Sequence, residues 1–304
     1  MSPPSAALKP GDPTEIGGHR VVGRLGAGGM GVVFRAITAD GEPVAIKVIR
    51  DEYADDPEFR RRFAAEVTAC QKVAGPCTAR VLAADATAAT PYLVPEFVAG
   101  QSLSEHVADH GPLSSAPLRR LALGLTRALE AIHATGLVHR DLKPSNVLLS
   151  TEGLKVVDFG IAAAADGSAV TRSGQLQGSP GWMAPEQISG DGVGPALDVF
   201  SWGLVVGYAA TGRPPFGVGR PDVVLYRIVH TEPDLAGLDP FLAPLVDRAV
   251  AKNPADRPTV PELLTEILRA GPPLPRWRRS GAGGNSESAL RPSVPAITRP
   301  WSAP

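Results

Sequence analysis

The chain has 304 residues, 30 Lys and Arg against 31 Asp and Glu, a net charge of -1 and 43% hydrophobic residues. This length supplies the core of one large domain or two lobes, and the balanced charge excludes nucleic acid or a membrane surface as the main partner. The cysteines, Cys70 and Cys77, exclude a disulfide framework; the opening MSPPSAALKPGDP lacks a signal-peptide core, and no run reaches the roughly 18 apolar residues of a membrane span, so a cytoplasmic location is expected.

Residues 1–17, rich in Pro, Ser and Ala, are expected to form a disordered arm. From Arg20 to Arg50 short β-branched runs, HRVVGRLG, GVVFRAIT and PVAIKVIR, alternate with glycine-containing turns and predict strands. Over 56–74 the period becomes helical, with Asp56 as cap, Pro57 in the first turn and Gly75-Pro76 as the stop. Strands are expected near Ala79–Ala84 and Tyr92–Phe97, completing a small β-rich unit over 18–98. Beyond it, over 99–270, the pattern is mostly helical. Leu118, Leu121, Leu125, Leu129 and Ile132 recur at three or four residues, and ALDVFSWGLVVGYAATG is apolar on nearly every side, as in a buried helix. Residues 271–304, dominated by Pro, Ser, Gly and Arg, are expected to be a disordered tail.

Several stretches carry chemistry. The run Leu25, Gly26, Ala27, Gly28, Gly29, Met30, Gly31 with Val33 lies between two predicted strands, where glycine lets backbone N–H groups approach a phosphate. Alone it fits a plain glycine-rich hairpin equally well, and a dinucleotide fold is disfavoured because a strand, not a helix, follows. In VAIKVI, Lys47 shares a face with Ala45 and Ile49, a costly position for an ammonium unless an anion meets it. Glu66 falls on the buried stripe of the next helix with Phe59, Phe63 and Cys70, so glutamate and lysine can neutralise one another. The stretch GLVHRDLKPSNVLL packs His139, Arg140, Asp141, Lys143 and Asn146 between apolar flanks. There Asp141 can accept a hydroxyl proton and Lys143 can screen a phosphoryl group. Asn146, with Asp158 of Asp158-Phe159-Gly160, offers oxygens suited to Mg2+.

In this order the motifs resemble a bacterial eukaryotic-type (Hanks-type) serine/threonine protein kinase, over roughly residues 18 to 270. The resemblance implies an α+β bilobal protein-kinase fold, with a β-rich N-lobe carrying one main helix and a larger helical C-lobe. It implies ATP and Mg2+ (or Mn2+) as cofactors and protein Ser/Thr hydroxyls as substrates. On this reading residues Leu25 to Gly31 cover the ATP phosphates, Lys47 holds them and pairs with Glu66, Asp141 is the base, and Asn146 and Asp158 hold the metal. The Glu96 carbonyl and Val98 amide meet the adenine between Val33 and Ala45 above and Leu148 below, while Ser102 contacts the ribose. Glu186 of Met183-Ala184-Pro185-Glu186 pairs with Arg257, and Asp198 braces the loop around Asp141. Lys143 marks serine/threonine specificity. Two positions depart from the family: Pro95 stands where Met, Thr or Leu usually precedes the hinge, and Ser179 replaces a threonine.

Arg140, beside the base, implies switching by phosphorylation at Thr171 or Ser173, with self-association for trans-autophosphorylation. A nucleotide-binding scaffold without phosphotransfer and a small-molecule phosphotransferase are the competing readings. The complete set of Lys47, Asp141, Asn146 and Asp158 argues against the first, and the A-P-E segment against the second. Cys70 is expected in the core, and Cys77 either in the core or redox-active.

Overall fold

The computed structural model describes residues 6–159, 179–192 and 194–269. Among these, strands β1 (Glu15–Ile16), β2 (His19–Ala27), β3 (Gly31–Ile37), β4 (Pro43–Ile49), β5 (Val81–Asp85) and β6 (Tyr92–Pro95) form an antiparallel sheet in the order β1-β2-β3-β4-β6-β5. The strand alternation sorts its side chains as the sequence predicts. Phe34, Ala36, Val44, Ile46 and Val94 form an apolar cluster on one face. Ile49 and Leu93 join Phe59, Phe63 and Val67 on the other. The latter three belong to helix α2 (Pro57–Cys70), which follows the single turn α1 (Asp51–Ala54); Asp56 caps α2 by accepting from the Glu58 N–H at 2.8 Å.

The second lobe is helical: α3 (Leu103–His110), α4 (Ser115–His133), α5 (Pro185–Ser189), α6 (Pro195–Thr211), α7 (Pro221–His230), α8 (Ala243–Ala249) and α9 (Val260–Arg269). As its all-round apolar sequence requires, α6 runs through the core, with Phe200 and Trp202 fully buried and the indole N–H donating to the Ala122 carbonyl at 3.1 Å. Burying each such ring contributes roughly 1.5–3 kcal/mol. A Cβ on Gly203 would lie 2.7 Å from Val250, so α6 and the segment after α8 approach at a distance only glycine allows.

Between the lobes lies a small sheet, β7 (Gly100–Ser102), β8 (Val147–Ser150) and β9 (Gly153–Val156), whose register sets Ser102 opposite Leu148 and Leu148 opposite Lys155. Strand β9 also holds the first lobe: the Val156 N–H donates to the Cys77 carbonyl at 2.8 Å, and the Ala79 N–H to the Val156 carbonyl at 2.9 Å.

One expectation is corrected. The arm read as disordered over 1–17 is part of the first lobe from Ala6 onward. Ala6 and Arg24 exchange both backbone hydrogen bonds at 2.9 Å, and Leu8 and Ile16 pack on the Phe34 face. Two apolar residues in a Pro-rich stretch are too few for a compositional signal, but they cap an otherwise open sheet face. The proposed tail over 271–304 and residues 1–5 lie outside the described residues.

The clasp of this arm is ionic. Asp12 accepts from Arg24 through both oxygens, at 2.7 and 2.5 Å, and from the Lys9 N–H at 2.7 Å. The Arg24 hydrogen bond holds the Asp12 carboxyl down at about 2. A depressed carboxyl stabilises the fold above its unfolded value and loses that contribution as pH falls towards the folded one. The clasp should therefore persist at neutral pH and release between about pH 4 and pH 2. Hydrogen exchange should show the Ala6 and Arg24 amides protected at pH 6 in the wild type and unprotected there in Asp12→Asn; equal protection would contradict the assignment.

Candidate functional site

The glycine run is built as a hairpin tip. Leu25, Gly26 and Ala27 end β2, and Gly31 and Val33 belong to β3. The Gly28 N–H donates to the Gly31 carbonyl at 2.9 Å. From the far end of β4, Arg50 donates to the Gly28 carbonyl at 3.0 Å through its side chain and to the Met30 carbonyl at 3.0 Å through its N–H. A Cβ on Gly31 would lie 2.1 Å from the Val48 carbonyl oxygen, so packing inside the protein demands that glycine. A Cβ on Gly26, Gly28 or Gly29 would meet nothing within 4 Å. Among the described residues nothing requires those three to lack a side chain, although glycine costs conformational entropy. The space beside the hairpin is therefore open to a ligand.

Beneath the hairpin, Val33 faces Lys47 across β3 and β4, and Ala45 shares their face. The Lys47 ammonium reaches Asp158 Oδ1 at 3.3 Å. The resemblance pairs Lys47 with Glu66; in this structure its ion pair runs to Asp158. Glu66 is half-buried on the same stripe of α2, and its charge reaches the thiol of Cys70. Burial, reinforced by Glu66 and opposed by Lys47, pushes that thiol up to about 12. Burial pushes the Cys77 thiol up to about 11. Both cysteines are core residues held as unreactive thiols, which removes the redox reading of Cys77.

The loop around Asp141 is held by a buried carboxylate. Asp198, fully buried on α6, accepts from the His139 N–H at 2.7 Å and the Arg140 N–H at 2.9 Å, and lies 2.7 Å from His133 Nε2. Arg140 is thereby kept at φ 66, and Gln187 of α5 donates to its carbonyl at 3.1 Å. Among the described residues, Arg140 and Asp158 (φ 60) are the non-glycine positions in the left-handed region. Such backbone strain persists only where the surroundings over-determine it.

Asp141 is consequently presented to a cluster of donors. Lys143 Nζ lies 2.6 Å from its Oδ2 and 2.8 Å from Ser179 Oγ, so the serine takes the place of threonine with its hydroxyl in use. Asn146 donates through Nδ2 to the Asp141 carbonyl at 2.9 Å, which leaves its Oδ1 as an acceptor. The Asn146 carbonyl accepts from the Val157 N–H at 3.0 Å, setting Asp158 one residue away. Phe159 is buried, edge-on to His139 at 6.4 Å, and its carbonyl accepts from Cys70 Sγ at 3.4 Å. An amide oxygen and a carboxylate on adjacent segments, with an ammonium nearby, form a donor set suited to a hard divalent cation shared with phosphate oxygens.

At the other end, Leu148 of β8 is half-buried and Pro95 closes β6. Ser102 is buried as the N-cap of α3: its hydroxyl lies 2.8 Å from Glu105 Oε2 and accepts from the Glu105 N–H at 3.2 Å. That reciprocal capping box occupies the hydroxyl expected to touch a ribose, and the S-L-S-E spacing announces it. Glu96 also has a side-chain role that the motifs did not suggest, accepting from Lys155 and Arg80. Val98, two residues after Glu96, is half-buried. Glu186 and Arg257 form a buried two-pronged pair at 2.6 and 2.8 Å, and the remaining Arg257 donors reach the carbonyls of Ala196, Ala251 and Lys252. Thr171 and Ser173 lie outside the described residues.

The comparisons fit this geometry. The family model described as the protein kinase domain matches residues 19–268. The probable serine/threonine-protein kinase PkwA of Thermomonospora curvata is 49% identical over 260 residues, which cover 86% of this chain and 35% of PkwA, so the chain spans about a third of that relative. PknA of Mycobacterium tuberculosis is 37% identical over 292 residues, covering 92% of this chain and 68% of PknA. The crystal structure of the M. tuberculosis PknI kinase domain superposes with a TM-score of 0.67 at 27% identity, over 87% of this chain and 100% of that one.

The Asp198 clamp makes a direct prediction. Asn at 198 has one acceptor oxygen and turns an N–H2 towards buried donors, each stranded donor costing about 1–3 kcal/mol. Asp198→Asn should lower the midpoint of urea unfolding accordingly; an unchanged midpoint would mean that the clamp contributes nothing.

Proposed function

The chain belongs to the protein kinase family, and on that premise we propose that it transfers the γ-phosphoryl group of ATP to serine or threonine hydroxyls of proteins. The observation that carries this reading is the convergence on Asp141. A carboxylate held 2.6 Å from Lys143, on a loop clamped by Asp198, can take the proton of an attacking hydroxyl while the ammonium screens the incoming phosphoryl group. A cofactor role for Mg2+ or Mn2+ follows from the donor set. Asn146 and Asp158 would hold the ion, which when bound neutralises charge on the transferring phosphates.

The remaining residues bind and orient. Lys47 grips phosphate oxygens from above, and Glu66, on the buried stripe of α2, supports it. The open edge of Gly26, Gly28 and Gly29, free of side chains, lets the same phosphates approach the hairpin backbone closely. The hinge at Glu96 and Val98, with Val33, Ala45 and Leu148, receives the adenine. Ser102 supports this end beside the ribose, its hydroxyl engaged in capping α3.

Radiolabelled ATP with Mg2+ or Mn2+ tests the reading. Wild type should label itself or a basic protein substrate, and Lys47→Met and Asp141→Asn should each lose at least about 10²-fold of that label. Nucleotide binding without label in wild type would instead identify a scaffold. Label on a small-molecule hydroxyl and on no protein would identify a different phosphotransferase.

Regulation belongs to the same proposal. A phosphate at Thr171 or Ser173 carries about −1.5 to −2 charge, and Arg140, half-buried beside the base, is the cation it would meet when two copies phosphorylate one another. Phosphopeptide mapping after incubation with ATP should find one of these two residues modified, in step with rising activity. Full activity with the segment unmodified would contradict it.

A further inference from the structure

A side chain outside the chemistry above joins the hinge to the strand that leads to Asp158. Lys155 of β9 donates to Glu96 Oε1 at 2.8 Å and to the Thr78 carbonyl at 3.3 Å. Arg80 donates to the other oxygen, Glu96 Oε2, at 3.2 Å. The lysine contact is shielded, with side chains 18% and 19% exposed, whereas Arg80 is 68% exposed and its contact is screened by solvent. Burial would raise the Glu96 carboxyl, yet the hydrogen bonds and charge of Lys155, with those of Arg80, leave it below the ordinary range, so the contact is ionic at neutral pH.

The backbone of the same residue is tied to the first lobe. The Glu96 N–H donates to the Arg80 carbonyl at 2.8 Å, and Glu96 bridges Val44. Beyond it, residues 97–99 belong to no strand. The start of this connection is thus set by the two backbone ties of Glu96 and by what its side chain holds. What Glu96 holds most firmly is Lys155, itself paired in register with Leu148.

We propose that Lys155 is a positioning residue: by gripping the Glu96 carboxylate it fixes the hinge backbone over Leu148 and so sets the affinity for the adenine base. The inference rests on the kinase reading. Without the ammonium, Glu96 Oε1 loses its shielded partner and the carboxylate keeps only the exposed Arg80 on Oε2, so it follows Arg80 towards solvent and loosens the hinge. Loss of the contact acts on the base end of the nucleotide and leaves the phosphate end, held by Lys47, in place.

The test is direct binding of adenosine, an ATP analogue and inorganic tripolyphosphate, with kcat and KM measured in parallel. Lys155→Met and the near-isosteric Glu96→Gln should weaken adenosine and the ATP analogue about tenfold, the effect of losing one charge-assisted hydrogen bond. They should leave tripolyphosphate unchanged and raise KM for ATP with kcat nearly constant. Lys155→Arg, which keeps a cation, should recover most of the loss. Folded variants that bind adenosine like wild type, or lose tripolyphosphate equally, would overturn the inference while wild-type phosphotransfer leaves the kinase reading intact. A wild type that binds neither adenosine nor the analogue would overturn both.

Discussion

A fully buried carboxylate, Asp198, organises the candidate site. It sits on α6, the apolar helix through the core, and is compensated by two backbone N–H groups of the loop it supports and by His133 at the end of α4. A buried charge is expensive unless its oxygens are satisfied, so the same contacts that make Asp198 tolerable hold Arg140 in a left-handed conformation. That turn presents Asp141 to Lys143 and Asn146. The apolar core and the polar loop are in this sense one construction: α6 must be buried for Asp198 to be dry, and Asp198 must be dry for the clamp to be rigid.

Much of the site was legible in the sequence because its chemistry dictates residue types at short spacing. Asp141, Lys143 and Asn146 follow one another on a single turn, and the structure draws them together as expected. The strands around Lys47 and the helix with Glu66 were equally readable from period and capping. Pairs far apart in sequence were less so. Asp198 and the Glu186–Arg257 pair were reached through family resemblance rather than through periodicity. Lys155 with Glu96, Arg50 with Gly28 and the ordered arm with Arg24 escaped notice, since each depends on which loops the fold brings together. One signal was available: the chain contains few lysines, and Lys155 is a third, beside Lys47 and Lys143, placed where a point charge meets oxygen.

The Lys47–Asp158 contact links the lobes through groups that would be shared with a nucleotide. An ammonium and a carboxylate in direct contact satisfy one another in the absence of a third charge. On the proposed reading, a metal-bound triphosphate would offer each a stronger partner, the anion to Lys47 and the cation to Asp158. Next to Asp158, the buried column of Cys70, Phe159 and His139 ties this segment to α2 on one side and to the loop of Asp141 on the other.

On the proposed function, the two lobes grip one metal-bound triphosphate between them. A crystal structure with a nonhydrolysable ATP analogue and Mg2+ tests it most directly. It should show Lys47 Nζ on phosphate oxygens, with Asn146 and Asp158 on the cation beneath the glycine hairpin. A cleft left empty at saturating analogue, or an Asp158 carboxylate turned away from any cation, would contradict it.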